Sequence, residues 1–531
     1  MAAAVPAGLI GYSDVFLPPP FLYETARMDL NQRLAGVLLH ITSLPGPHGM
    51  GDFGPDAFRY VDWLQSAGQG LWQWLPSTPI GPGDSPYQGV SAFAGSQWMV
   101  AFEPFVAKGW MSAPTLPPDG FDASRVDYGR VLPWREQQLR AAEAGFRAKA
   151  TPAEQAEFAA WCAAQSDWLE DYALFMAIRS PRGGQPWWQW PQDLARREPA
   201  ALAAARREHA AEIAFWRFVQ WCFDWQVAAL RRYANERGVR IMGDLPIFVA
   251  HDSADCWARP DLYDLDEQFQ TVTVAGVPPD ALSAEGQRWG NPLYRWDRMA
   301  AEGYAWWTAR VRRALSSADI FRIDHFRGFA GYYEIPGSSP DARQGVWRAG
   351  PGKALFDAIG KALGPLPIVA EDLGFITEDV HALRDACGFP GMKILQFGFG
   401  GDGTHEFLPQ MWPRAAVAYT GTHDNDTVRG WWNSATPRER AFAGAYLACG
   451  EHDVHWAMIR ACCNSVANMA VFPMQDVLGL GGEHRMNVPG VLGGNWAWRL
   501  RWDMLDGEHA RVLGLITAAS GRADASFMRL P

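Results

Sequence analysis

Four acidic residues of this chain stand at or just past the end of a short apolar, β-prone run. Asp244 closes Val239–Asp244, Asp324 closes Ile320–Asp324, Glu371 closes Ile368–Glu371, and Asp424 lies just beyond Ala416–Thr422. A salt bridge or a helix N-cap is the ordinary role of any one such acid. Four at equivalent strand ends would face one cavity, which packing alone does not explain. Side chains alternate along a strand, so Arg322 and Asp324 point to the same side. A guanidinium there favours the carboxylate, as a nucleophile requires. Glu371, on a neighbouring run, would feel Asp324 and Asp424, and like charges raise a carboxyl pKa. It could then protonate a leaving oxygen and later deprotonate an incoming hydroxyl. One ionised and one protonated carboxyl, roughly 5–5.5 Å apart, meet the needs of a retaining double displacement at a glycosidic carbon. Asp424 is left to orient sugar hydroxyls.

Positioning these groups takes a repeated element. Eight apolar runs qualify: Gly36–His40, Gly70–Leu75, Val239–Asp244, Ile320–Asp324, Ile368–Glu371, Met392–Phe397, Ala416–Thr422 and Met469–Met474. Such runs are typical of buried parallel strands. Helix-like segments follow several of them, Pro55–Ser66 and Thr377–Ala386 among them. The alternation predicts an α/β fold, a (β/α)8 barrel, which places its chemistry at the C-terminal ends of the strands. A doubly wound open sheet competes, but no GxGxxG or Walker sequence supports it.

The long interval between Leu75 and Val239 predicts an inserted subdomain, about 85–235, with helical stretches over Glu154–Arg179 and Ala200–Arg237. A second insertion, about 250–310, is expected between the third and fourth strands. Within it, Gly276, Gly286, Gly290 and Pro278-Pro279 predict a loop over Val274–Tyr294. Residues 1–30 read as an extension and 31–531 as the barrel unit.

Composition excludes several classes. The 531 residues carry a formal charge of −11 and no long basic run, so nucleic acid is not an expected partner. The opening residues have neither a basic n-region nor a sustained apolar h-region, and no stretch is long enough to span a bilayer. A cytoplasmic chain without signal peptide or membrane span is expected. The 7 cysteines are scattered and match no zinc spacing, which predicts reduced thiols. No metal and no cofactor are expected. The 27 tryptophans suit either sugar stacking or a large core, and composition does not separate the two.

At this point the residues resemble a known family. Asp324, Glu371 and Asp424 after the fourth, fifth and seventh runs, with Arg322 and His423 beside them, resemble the α-amylase superfamily. The words Asp84-Ser85-Pro86-Tyr87-Gln88, Gly243–Phe248, Gln287–Pro292, Phe321–Gly328 and Arg485–Gly490 narrow this to the 4-α-glucanotransferases (amylomaltase and disproportionating enzyme), glycoside hydrolase family 77. The resemblance runs from about Gly36 to Arg499. It implies that Asp324 is the nucleophile, Glu371 the acid/base and Asp424 the transition-state stabiliser, helped by Arg322 and His423. It further implies sugar-binding roles for Ser85, Tyr87, Tyr128, Asp244, Asp280, Trp289 and Asn487. The partners implied are α-1,4-glucans as donors, with glucose or another glucan as acceptor. His40 and His325 read as structural.

Two departures from many members, Ala281-Leu282 where two aromatics are common and Pro82 where some carry Tyr, bear on accessory sugar contacts only. An α-glucan hydrolase would use the same carboxylates, and the residues alone do not separate it from a transferase. A non-catalytic sugar-binding barrel would have lost one of the three acids, and all are present.

Overall fold

The computed structural model describes residues 29–279, 283–491 and 493–528. Its strands in chain order are β1 (Leu34–Leu38), β2 (Leu71–Gln73), β3 (Arg240–Leu245), β4 (Thr273–Val277), β5 (Gln287–Pro292) and β6 (Ile320–Ile323), followed by β7 (Gly331–Pro336), β8 (Val346–Ala349), β9 (Ile368–Ala370), β10 (Gly391–Ile394), β11 (Ala416–Tyr419) and β12 (Met469–Pro473). Eight of them form one parallel sheet in the order β10-β11-β12-β1-β2-β3-β6-β9. The two ends of that order meet. The Ala370 amide donates to the Pro390 carbonyl at 2.9 Å, and the Asp372 carboxylate accepts the Met392 amide at 2.7 Å. The sheet closes into a (β/α)8 barrel, and each of the eight apolar runs supplies one strand.

Alternation decides what each strand residue meets. Leu34, Leu71, Met242, Ile320, Val369, Met392, Val417 and Met469 pack together inside the barrel. Their neighbours Ala35, Trp72, Ile241, Phe321, Ile368, Ala418 and Ala470 pack outward with helix residues such as Phe58 and Leu64. Two positions further along, the inward series turns polar, at Gln73, Asp244 and Arg322. Tyr419, two beyond Val417, donates its hydroxyl to the Gln73 side chain at 2.8 Å. The apolar floor therefore gives way to a polar layer at the C-terminal end of the barrel.

The surrounding helices follow local rules. Pro55 opens the helix Pro55–Ser66, which buries Ala57, Phe58, Val61 and Leu64 at helical spacing. Glu378–Cys387 ends at Gly388, whose φ of 71° suits glycine. Between β2 and β3 the chain forms Tyr128–Lys149, Pro152–Ala164, Ser166–Arg179, Pro199–Glu208 and Ala210–Glu236, among shorter turns. Trp110, Trp161, Trp187, Trp216, Trp221 and Trp225 are buried in this region. Much of the tryptophan excess therefore fills core.

A second sheet was not expected from the sequence. β4, β5, β7 and β8 pair antiparallel in the order β5-β4-β7-β8. The segment read as a loop over Val274–Tyr294 is instead the hairpin of β4 and β5, with Gly286 at a φ of 68°. Gly276 lies in β4, Pro278-Pro279 just past it, and Gly290 and Pro292 in the edge strand β5, where they masked the strand pattern. Among the described residues, no helix is long and apolar enough to cross a membrane.

Candidate active site

Register brings the charged groups together. Met242 pairs with Ile320 and Asp244 with Arg322 across β3 and β6, so the two side chains face each other inside the barrel. Arg322 Nη1 reaches both Asp244 oxygens, at 2.9 and 2.7 Å, and Nη2 reaches Asp324 Oδ1 at 2.7 Å. Arg322 is 3% exposed, and the side chains of Asp244 and Asp324 are 0% and 30% exposed. One buried cation thus holds two carboxylates, of which only Asp324 opens to solvent. Burial pushes the Asp244 carboxyl up, and Arg322 opposes the shift.

Ile323 pairs with Ala370 across β6 and β9, which places Asp324 and Glu371 side by side, each one residue past its strand. Among the described residues, the Glu371 carboxylate is gripped by backbone amides alone. Oε2 accepts the His325 amide at 2.6 Å and Oε1 the Leu373 amide at 2.9 Å. Its pKa is pushed up to about 8, first by burial and then by the charge of Asp324, while Arg322 and the two amides pull it down. The sequence expectation had the direction right and the leading cause wrong: desolvation outweighs like charge. His325, at a φ of 52°, has its imidazole pKa lowered to about 4 by burial.

Asp424 is assembled from a different quarter. Asn487 Nδ2 donates to its Oδ1 at 2.7 Å, Arg485 Nη2 donates to its carbonyl at 2.9 Å, and His423 Nε2 lies 3.3 Å from Oδ2. Tyr87 ties this group to the first. Its hydroxyl donates to Asp244 Oδ2 at 2.7 Å and lies 2.9 Å from His423 Nε2. Burial, then the Asp244 charge, hold the phenol well above its ordinary pKa, so it stays a neutral donor. With its one proton given to Asp244, it accepts from His423, which fixes that imidazole with hydrogen on Nε2. The two rings stack at 5.3 Å.

The other expected sugar-contacting residues divide. Trp289, on β5, meets the His325 ring edge-on at 4.8 Å. The Ser85 hydroxyl accepts the Tyr87 amide at 3.2 Å and so shapes the turn presenting Tyr87. Tyr128 donates its hydroxyl to the Trp496 carbonyl at 2.8 Å, and Trp496 packs its ring on Tyr87 and His423. Asp280, Ala281, Leu282 and the side chain of Pro82 lie outside the described residues. Sequence reasoning missed Arg485 and Trp496. Arg485 precedes Asn487 by two in an extended segment, a spacing that could have flagged it; nothing marked Trp496.

A carboxylate bound to arginine beside a carboxyl raised by burial is the arrangement that retaining transfer at a glycosidic carbon uses. The family model for 4-α-glucanotransferases matches residues 39–505. The chain belongs to glycoside hydrolase family 77. A 4-α-glucanotransferase of Thermus thermophilus is 48% identical over 498 residues, covering 92% of this chain and 99% of that relative. The chloroplastic/amyloplastic 4-α-glucanotransferase of Solanum tuberosum is 42% identical, covering 93% and 87%. The structure is similar to an amylomaltase from Streptococcus agalactiae solved in complex with acarbose, with a TM-score of 0.89 and 36% identity, over 93% of this chain and 100% of that one. In this family member, no group of three or more His, Cys, Asp or Glu among the described residues is placed to hold a metal ion. The seven cysteines form no disulfide.

Glu371 yields a test of its environment. Its pKa rises from 4.5 to about 8 in the folded chain. Between those values the folded state binds more protons than the unfolded state, so stability falls as pH rises through that window. Glu371→Gln removes this loss. Its melting temperature relative to the parent is expected to climb from about pH 5 to about pH 8. Parallel curves for the two proteins would show that burial does not govern this group.

Proposed function

We propose that this chain is a retaining 4-α-glucanotransferase, cutting an α-1,4-glucan and passing the cut segment to the 4-hydroxyl of glucose or another glucan. The observation that carries the mechanism is the unequal pair, Asp324 tied to Arg322 and Glu371 raised by burial on the adjoining strand. Arg322 occupies Asp324 Oδ1 and leaves Oδ2 to attack C1 of the donor sugar. As the bond from C1 to the leaving oxygen breaks, Glu371 gives that oxygen its proton. The released glucan departs, and the donor segment stays esterified to Asp324. Glu371, now a carboxylate, takes the proton of the acceptor 4-hydroxyl, whose oxygen attacks C1 and frees Asp324. Two inversions give net retention. Asp424, half-exposed and fixed by Asn487, orients sugar hydroxyls at the reacting ring, while Tyr87, His423 and Asp244 hold the surrounding polar wall.

The strands β4 and β5 are proposed to cover the cleft, with Trp289 toward sugar. Excluding water there lets the glycosyl ester wait for an acceptor. The chain is proposed to act in the cytoplasm without a cofactor.

Maltotriose as sole substrate tests the activity. A ladder of longer maltodextrins plus glucose is expected, at constant total reducing power. Reducing ends that accumulate as maltotriose disappears would assign the chain to hydrolysis instead.

A further inference from the structure

The loop that carries His423 and Asp424 leaves β11 at Tyr419 and ends at the helix Val428–Ser434. One carboxylate touches both of its ends. Thr420 Oγ1 donates to Asp476 Oδ2 at 2.6 Å, and the Val428 amide donates to Asp476 Oδ1 at 2.7 Å. Asp476 sits on the short helix Met474–Val477 that follows β12, and it is 1% exposed, out of reach of any sugar. Between the two clamped ends, Asn425 Oδ1 accepts the Thr422 amide at 2.8 Å and keeps the loop compact. The chain that leaves Asp476 runs on to Arg485 and Asn487, the two residues that grip Asp424 at the tip. The β11 and β12 loops are therefore fastened to each other twice, once below the site and once within it.

We infer that Asp476 is a positioning residue for Asp424: its carboxylate clamps both ends of the Asp424 loop and sets where that acid meets the donor sugar. The inference rests on the proposed role of Asp424. Burial pushes the Asp476 carboxyl up to about 7. The Thr420 hydroxyl can accept as well as donate, so the clamp has partners whether the carboxyl is ionised or protonated.

The same property makes the test sharp. Asp476→Asn can keep both contacts, its amide oxygen accepting from Val428 and its NH2 donating to Thr420, and is expected within about threefold of the parental kcat. Asp476→Ala loses both contacts and is expected to drop kcat on maltotriose by about tenfold or more. Thr420→Val removes a single bond if the alanine variant does not fold, and is expected to lose several-fold in kcat where Thr420→Ser loses little. In an Asp424→Asn background, assayed with a glycosyl fluoride donor, Thr420→Val is expected to cost nothing further. A merely structural clamp would lower the melting temperature and cost the same in both backgrounds, and that result overturns the inference. So does parental kcat in a folded Thr420→Val or Asp476→Ala. Parental kcat in Asp424→Asn would instead sink the reading of Asp424 itself.

Discussion

Asp324→Asn is expected to fold and to lose transfer by on the order of 10⁴-fold or more, because no neighbouring group can replace the attacking oxygen. Arg322 still finds an acceptor in the amide oxygen, and the backbone bond from the Asp324 amide to the Leu245 carbonyl, at 3.0 Å, is untouched. Glu371→Gln is expected to lose less on ordinary glucans, about 10²–10⁴-fold, the range for a general acid and base. It separates the two half-reactions. A glycosyl fluoride needs no proton to leave, so this variant is expected to form the ester and then stall for want of a base. Intact-mass spectrometry followed by peptide mapping would place the added sugar on Asp324. An adduct on another residue, or a single-step inversion of the product anomer, would remove the double displacement.

Arg322→Met is the second large effect, and it falls on stability as well as rate. The substitution leaves Asp244 buried without its cation, beside the carboxylate of Asp324. Breaking a buried ion pair from one side costs about 3–5 kcal/mol. Chemical denaturation is expected to read that loss directly, with transfer reduced to near background. Replacing both partners, as Arg322→Met with Asp244→Leu, removes the orphaned charge and is expected to recover most of the stability. It should recover none of the transfer, since Asp324 is left without its guanidinium and Tyr87 without its acceptor. A double variant as unstable as the single one would show that shape at this layer, rather than charge, sets the cost.

The sequence was most legible where periodicity and chemistry fell on the same residues. Arg322 and Asp324 lie two apart on a strand, and alternation alone places them together. Glu371 ends a short apolar run of the kind typical of buried parallel strands. The grip on Glu371 was not legible, because backbone amides at His325 and Leu373 leave no mark in residue type. Nor was the grip on Asp424, which depends on Asn487 arriving from beyond β12. The β5-β4-β7-β8 sheet was hidden for a related reason. Its central pairing joins segments on opposite sides of β6, β8 is exposed along its length, and β5 carries Gly290 and Pro292. Tyr128 shows the opposite limit: its residue type suits sugar contact, but its hydroxyl serves the backbone of Trp496.

The amide grip on Glu371 also says where the protein can be re-engineered. A contact made by main chain survives a change of side chain, so the proton-transfer geometry is insulated from substitutions at the two residues that create it. Leu373 should accept a wide library. His325 should accept a narrow one, since its positive φ favours Asn, Asp or Gly and penalises β-branched residues. Both positions lie beside the proposed acid/base, so selectivity for the sugar that arrives there could be evolved at them without disturbing the Glu371 carboxyl.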